Sequence, residues 1–184
     1  MSLETPVPIR LAQTLGITTS LILAGSTLST SMVTIPRILE SPPNLLIQQW
    51  GHMYDVGKKT GPIASSIASS AFFYLAYKTH VSSLALLNTT GPWIGRNWLY
   101  TLAGVLSVGI VPYTFAFILP TNKKLLRLVE GTRRIEMSKE EVVLQSQEER
   151  NAHQLVDWWA VLNLGRGAML VGSGVLGVWA SLGW

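Results

Sequence analysis

Cysteine is absent from this chain, which excludes disulfides, thiolate metal sites and a cysteine nucleophile. Charge is scarce: Asp, Glu, Lys and Arg make up 13% of the 184 residues, about half of what a soluble domain carries. Histidine occurs only three times, and no H-x-x-H or H-E-x-x-H spacing pairs any two of them. No carboxylate cluster at ligand spacing lies within the apolar runs, so a metal site has no local support. A glycine-rich phosphate loop is missing as well, so flavin or nicotinamide has no evident cradle. Gly172, Gly174 and Gly177 instead sit inside an apolar run, where small residues let helices approach closely.

Hydrophobic residues at 48% are ordinary in number but pooled into long uncharged runs. With a mean hydropathy of +0.33, that pooling excludes a disordered chain and disfavours a water-soluble globule. Two runs, residues 11–32 and 98–119, each hold 22 residues without a formal charge, enough for a helix to cross a bilayer core. A third, 63–77, is made semi-polar by Ser65, Ser66, Ser69 and Ser70, whose hydroxyls suit close helix packing. The last, 158–182, carries one charge, Arg166. The expected fold is therefore all-α, a membrane-embedded four-helix bundle forming one domain over 1–184, with helical extensions on its cytosolic side. The first run is too long for a secretory signal and reads as a retained span.

The net charge of +4 does not point to nucleic acid, because the basic residues flank the apolar runs. Residues 33–62 and 120–157 together hold ten Lys and Arg, against three in the opposite connections. That bias places both segments in the cytosol and both termini in the lumen of an endomembrane or outside. Trp93, Trp98, Tyr100, Trp179 and Trp184 are expected in the far aromatic belt, and Trp158 and Trp159 in the near one. Leu46, Trp50, Met53 and Gly57 share one face of a helix expected to lie at the near interface. Ser138 with Glu141 forms a capping box.

Polar residues inside the spans are the candidates for function. Arg166 lies about eight residues into the last span, roughly 12 Å along a helix. A charge there costs roughly 2.5–3.5 kcal/mol on insertion scales and should face protein or a wet cavity. Asn163 and Trp159 precede it on the same face, giving an aromatic plate, an amide and a cation in order of depth. The plainer reading has Arg166 reaching back to the headgroups while Asn163 joins helices. Pro112 is expected to kink the third span, and Pro120 to end it before Thr121 and Asn122. His52 and His153 fall in the cytosolic segments, with Asp157 four residues after His153. A surface histidine is the default for each, and a metal-binding pairing of His52 with His153 stays open.

Pro112-Tyr113-Thr114, Pro120-Thr121-Asn122 with Leu125, and Trp159-x-x-x-Asn163-x-x-Arg166 resemble the anthrone oxygenase family of fungal aromatic polyketide pathways. Trp50, Tyr54, Gly57 and Pro62 fit the same pattern, and the likeness covers roughly residues 10 to 180. The resemblance implies oxidation of an anthrone-type polyketide at its central CH2 by O2, without an identified prosthetic group. Its partners would be that substrate, O2, the bilayer and contacting enzymes of the pathway. On this basis Arg166 is expected to hold an oxyanion, assisted by Asn163 or Asn122. Trp159, Tyr113, Trp50 and Tyr54 are expected to receive the rings. His52 is the first choice of general base and His153 with Asp157 the second. Two other readings remain, a membrane adaptor for a biosynthetic complex and a histidine-ligated metal oxygenase. A transporter lacks the inverted repeat it would need.

Overall fold

A computed structural model of the chain describes residues 6–85, 93–138 and 146–182, with side chains at 6–81, 96–132 and 151–182. Every regular element among them is helical: α1 (Val7–Ser29), α2 (Ile35–Ile38), α3 (Pro43–Ala85), α4 (Trp93–Tyr113), α5 (Leu119–Ser138) and α6 (Ser146–Leu182). Five-residue π turns, Thr30–Thr34 and Thr114–Ile118, join α1 to α2 and α4 to α5 without a break. Among the described residues, three helices are long and apolar enough to cross a membrane: Val7–Ile38, Arg96–Thr132 and Asn151–Leu182. The expected span at 63–77 lies inside α3 but outside that set, its serines diluting the apolar run.

Three boundaries differ from the sequence expectation. Pro120 does not end a helix; chain direction is kept because the preceding turn widens. In each π turn an amide reaches five residues back, Ile35 N–H to the Thr30 carbonyl and Leu119 N–H to the Thr114 carbonyl. The prolines explain the position. A proline ring collides with the carbonyl four residues earlier. For Pro36 that residue is Met32 and for Pro120 it is Ala116, the centre of each wide turn. Secondly, the segment expected at the interface and the run after it form one 43-residue helix, α3, which passes through Pro62. Leu46 and Trp50 on that helix are fully buried, so their face packs against protein. Thirdly, Ser138 closes α5, while Glu141 of the capping box lies outside the described residues.

Contacts divide the chain into two compact units. One comprises Met1–Gly25, Gly61–Val111 and Gly167–Trp184. Its core gathers Phe72, Leu75, Tyr100 and Ala180, with Ala24, Ile110 and Leu170 as a second cluster. Tyr100, expected in an exposed belt, is buried and accepts a hydrogen bond from Gln13 Nε2 at 2.9 Å. Trp98 and Trp179 are exposed, while the side chains of Trp93 and Trp184 lie outside the described residues. Buried hydroxyls tie the helices together. Ser65 donates to the Ser107 carbonyl (2.7 Å), Ser107 and Ser173 share a hydroxyl bond (2.7 Å), and Ser173 donates to the Ala103 carbonyl (2.7 Å). Such bonds between apolar helices contribute about 0.6–2 kcal/mol each. Gly177 is needed for close approach, since a Cβ there would lie 2.5 Å from the Phe72 ring.

The other unit comprises Ser26–Thr60 and Pro112–Arg166. Ile35, Leu46, Ile47, Trp50, Ile118, Leu125, Val156 and Trp159 form its apolar centre. Burying one such side chain is worth about 1.5–3 kcal/mol. Most of the polar residues singled out in the sequence belong to this unit.

Candidate functional site

Positions 159, 163 and 166 follow the three–four spacing of one helix face, so α6 presents their side chains in a row. Trp159 is buried and donates its Nε1–H to Asn122 Oδ1 at 2.8 Å. Asn122, at 3% exposure on α5, thereby fixes the indole plane. One turn further along α6, Asn163 is 2% exposed and fully committed. Its Nδ2 donates to Ser31 Oγ (2.9 Å) and to the Thr27 carbonyl (3.2 Å), while its Oδ1 accepts from Arg166 Nη1 (3.3 Å). Ser31 lies in the first π turn. The guanidinium is therefore drawn toward protein, and Arg166 Nε is buried without a hydrogen-bond partner among the described residues.

Tyr113 closes one side of this row. Its hydroxyl donates to the Leu162 carbonyl at 3.0 Å, and its ring tilts against Phe117 with centroids 5.0 Å apart. Gly165 makes room, because a Cβ there would overlap that hydroxyl. Trp50 packs on the other end. It stacks on Tyr54 (5.0 Å, 12°) and meets Trp159 edge to face (5.9 Å, 89°). Its Nε1 is the second buried side-chain donor without a partner among the described residues. An unsatisfied buried donor costs about 1–3 kcal/mol. Lys58 lies over the Tyr54 ring at 5.5 Å and is bonded to Asp55. That exposed hydrogen bond holds the Asp55 carboxyl below its usual range and the Lys58 ammonium above its own.

The structure thus brings together Trp50, Tyr54, Asn122, Trp159, Asn163 and Arg166, with Tyr113 alongside. The candidate bases are placed otherwise. His52 is exposed on α3, two residues and about 200° of helix rotation from Trp50. Asp157 is also exposed. His153 is half-buried, with Nε2 3.2 Å from the Ser41 carbonyl. A carbonyl only accepts, so Nε2 is the donor in this contact. His153 borders an open groove of about 630 Å³ that also includes Glu40, Ser41 and Gln154. Among the described residues no three His, Asp or Glu side chains gather in a way that could hold a metal.

Sequence reasoning missed Thr27 and Ser31. They lie in Ser26-Thr27-Leu28-Ser29-Thr30-Ser31, a hydroxyl-rich stretch of an uncharged run, and that was the available signal. What it joins depends on tertiary contact.

A helical protein with span-length apolar helices, holding an arginine–asparagine–tryptophan row inside one helical unit, has the character of a small membrane-bound enzyme. The chain belongs to the anthrone oxygenase family, whose model matches residues 50–176. That stretch contains every clustered residue named above except Thr27 and Ser31. The chain is 27% identical to anthrone oxygenase encC of Aspergillus fumigatus over 180 residues, 94% of this chain and 93% of that protein. It is 26% identical to a noranthrone monooxygenase of Aspergillus flavus, covering 89% and 70% of the two chains. To anthrone oxygenase AgnL2 of Paecilomyces divaricatus it is 26% identical, covering 90% and 92%. No solved structure matches it.

Proposed function

We propose that this protein is an anthrone oxygenase that converts the central CH2 of an anthrone-type polyketide to a carbonyl, consuming one O2 and releasing one water. The CH2 is flanked by two rings and faces a ring carbonyl, so loss of a proton gives a phenolate-like anion spread over three rings. The anion adds O2 at carbon, and the resulting hydroperoxide loses water to leave the quinone. All four electrons that reduce O2 come from the substrate, so the reaction requires no external reductant or prosthetic group.

Arg166 holds the developing oxyanion. A cation fixed in a low-dielectric site acts where charge appears and needs no reorganisation. Asn163 is a positioning residue, because both ends of its amide are engaged by Thr27, Ser31 and Arg166. Asn122 likewise positions Trp159, which with Tyr113 receives the ring system. For the proton, His52 and His153 are the two candidates. His52 is exposed on α3, and His153 is half-buried on α6 with Nε2 at the Ser41 carbonyl.

The protein acts as a multi-pass membrane protein of an endomembrane, with residues 63–77 as its second span. Residues 33–62 and 120–157 face the cytosol, both termini face the lumen, and enzymes of the polyketide pathway dock on the cytosolic side. The Lys and Arg distribution supports that orientation.

The observation that carries the reading is the Arg166–Asn163–Ser31 hydrogen-bond chain, whose Asn163 and Arg166 lie in the stretch that matches the anthrone oxygenase family. Aerobic incubation of metal-stripped membranes with an anthrone tests it. Quinone absorbance should rise with equimolar O2 uptake, and no rate above that of empty membranes would end the proposal.

A further inference from the structure

Trp50 is fully enclosed, yet the part of it that protein does not satisfy is its N–H. Tyr54 stacks on the ring at 5.0 Å and Trp159 packs against it at 5.9 Å, so the indole is already in use as an aromatic surface. Nε1 has no acceptor among the described residues. Only one other buried side-chain donor among them shares that condition, Arg166 Nε. The two belong to one unit, and both are tied to the same face of α6, Trp50 through Trp159 and Arg166 directly. Trp159 and Arg166 are seven residues apart, about 10.5 Å along the helix axis, so the two unpartnered donors meet α6 at different depths.

We propose that Trp50 is a specificity-determining residue that donates its indole N–H to an oxygen carried on an outer ring of the substrate, remote from the oxyanion held by Arg166. An indole N–H can only donate, so the group it selects is an acceptor such as a phenolic or phenolate oxygen. Trp50 is then the residue that reads one ring oxygen of the substrate. An analogue without that oxygen leaves a buried donor unpaired, and sites of this kind discriminate strongly against such analogues. The inference rests on the oxygenase reading, and it adds the feature of the substrate that the enzyme recognises.

The test compares kcat/KM for a ring-hydroxylated anthrone and the unsubstituted anthrone, in wild type and in Trp50→Phe. Phenylalanine keeps an aromatic ring on Tyr54 and removes the donor, and the effect of its smaller volume is common to both substrates and cancels in their ratio. The preference for the hydroxylated substrate should fall about 10- to 100-fold in the variant, the range of one lost buried hydrogen bond. An unchanged preference, or equal losses on both substrates, overturns the role. Should Trp50→Phe not fold, inhibition of the wild-type enzyme decides. Hydroxylated anthraquinone should bind about tenfold more tightly than unsubstituted anthraquinone, as expected for one hydrogen bond, and equal binding overturns the proposal. Wild-type protein that oxidises neither anthrone sinks the oxygenase reading and this inference with it. Oxidation of both with an unaltered preference sinks only the latter.

Discussion

Asn163 donates to Ser31 Oγ at 2.9 Å, joining residues 132 positions apart in the chain. With the Thr27 carbonyl taking its other amide hydrogen, the side-chain oxygen is left for Arg166. Turning the amide over would set its oxygen against the Thr27 carbonyl and its NH2 against Arg166, so the orientation that serves the half-buried cation is fixed by a backbone carbonyl in a different helix.

Arg166→Gln should reduce turnover by about 10²–10³-fold, the effect of removing an oxyanion donor, while leaving membrane insertion intact. Arg166→Lys should recover little of it, because a lysine ammonium does not reproduce the geometry of the guanidinium. Quinone formation per unit of membrane-inserted protein is the measurement.

Ser31→Ala removes one acceptor of the Asn163 amide and should cost about 0.5–1.5 kcal/mol of stability. Asn163→Ala releases Arg166 altogether, and misplacement of a catalytic group by about 1 Å can lower the rate 10²-fold. Thermal unfolding in detergent and kcat on the same samples separate the two effects. A normal kcat in Asn163→Ala would remove it as a positioning residue.

Loss of the general base should lower kcat by about 10²–10⁴-fold, so whichever of His52→Ala and His153→Ala shows that loss identifies the base, and the other variant should stay near the wild-type rate. Activity in both variants would assign proton removal to Tyr54 or solvent.

Ser107→Ala cuts the hydroxyl ladder of the other unit, where Ser107 bonds Ser173. The loss should be about 0.6–2 kcal/mol of stability, read as a lower unfolding temperature. Turnover of the protein that remains folded should be unchanged.

Much of this arrangement is legible in the sequence because it is local. The row Trp159, Asn163, Arg166 follows from spacing on one helix, and the apolar runs follow from the absence of charge. What each polar residue bonds to is not local: Asn122 is 37 residues from Trp159, and Thr27 is 136 from Asn163. Proline misleads in the same way. Its missing N–H is visible in the sequence, but whether the helix stops or widens depends on packing around it. Trp50 reads as a plate for substrate, yet Tyr54 one turn away already occupies its face.

The wide turn before Pro120 also determines azimuth. Tyr113 and Asn122 are nine residues apart, and in an unbroken α-helix they would point about half a turn away from each other. The π turn between them unwinds that by about a quarter turn. Both can therefore reach α6, Tyr113 at Leu162 and Asn122 at Trp159. A backbone irregularity imposed by a proline ring thus aims a side chain two residues beyond that proline.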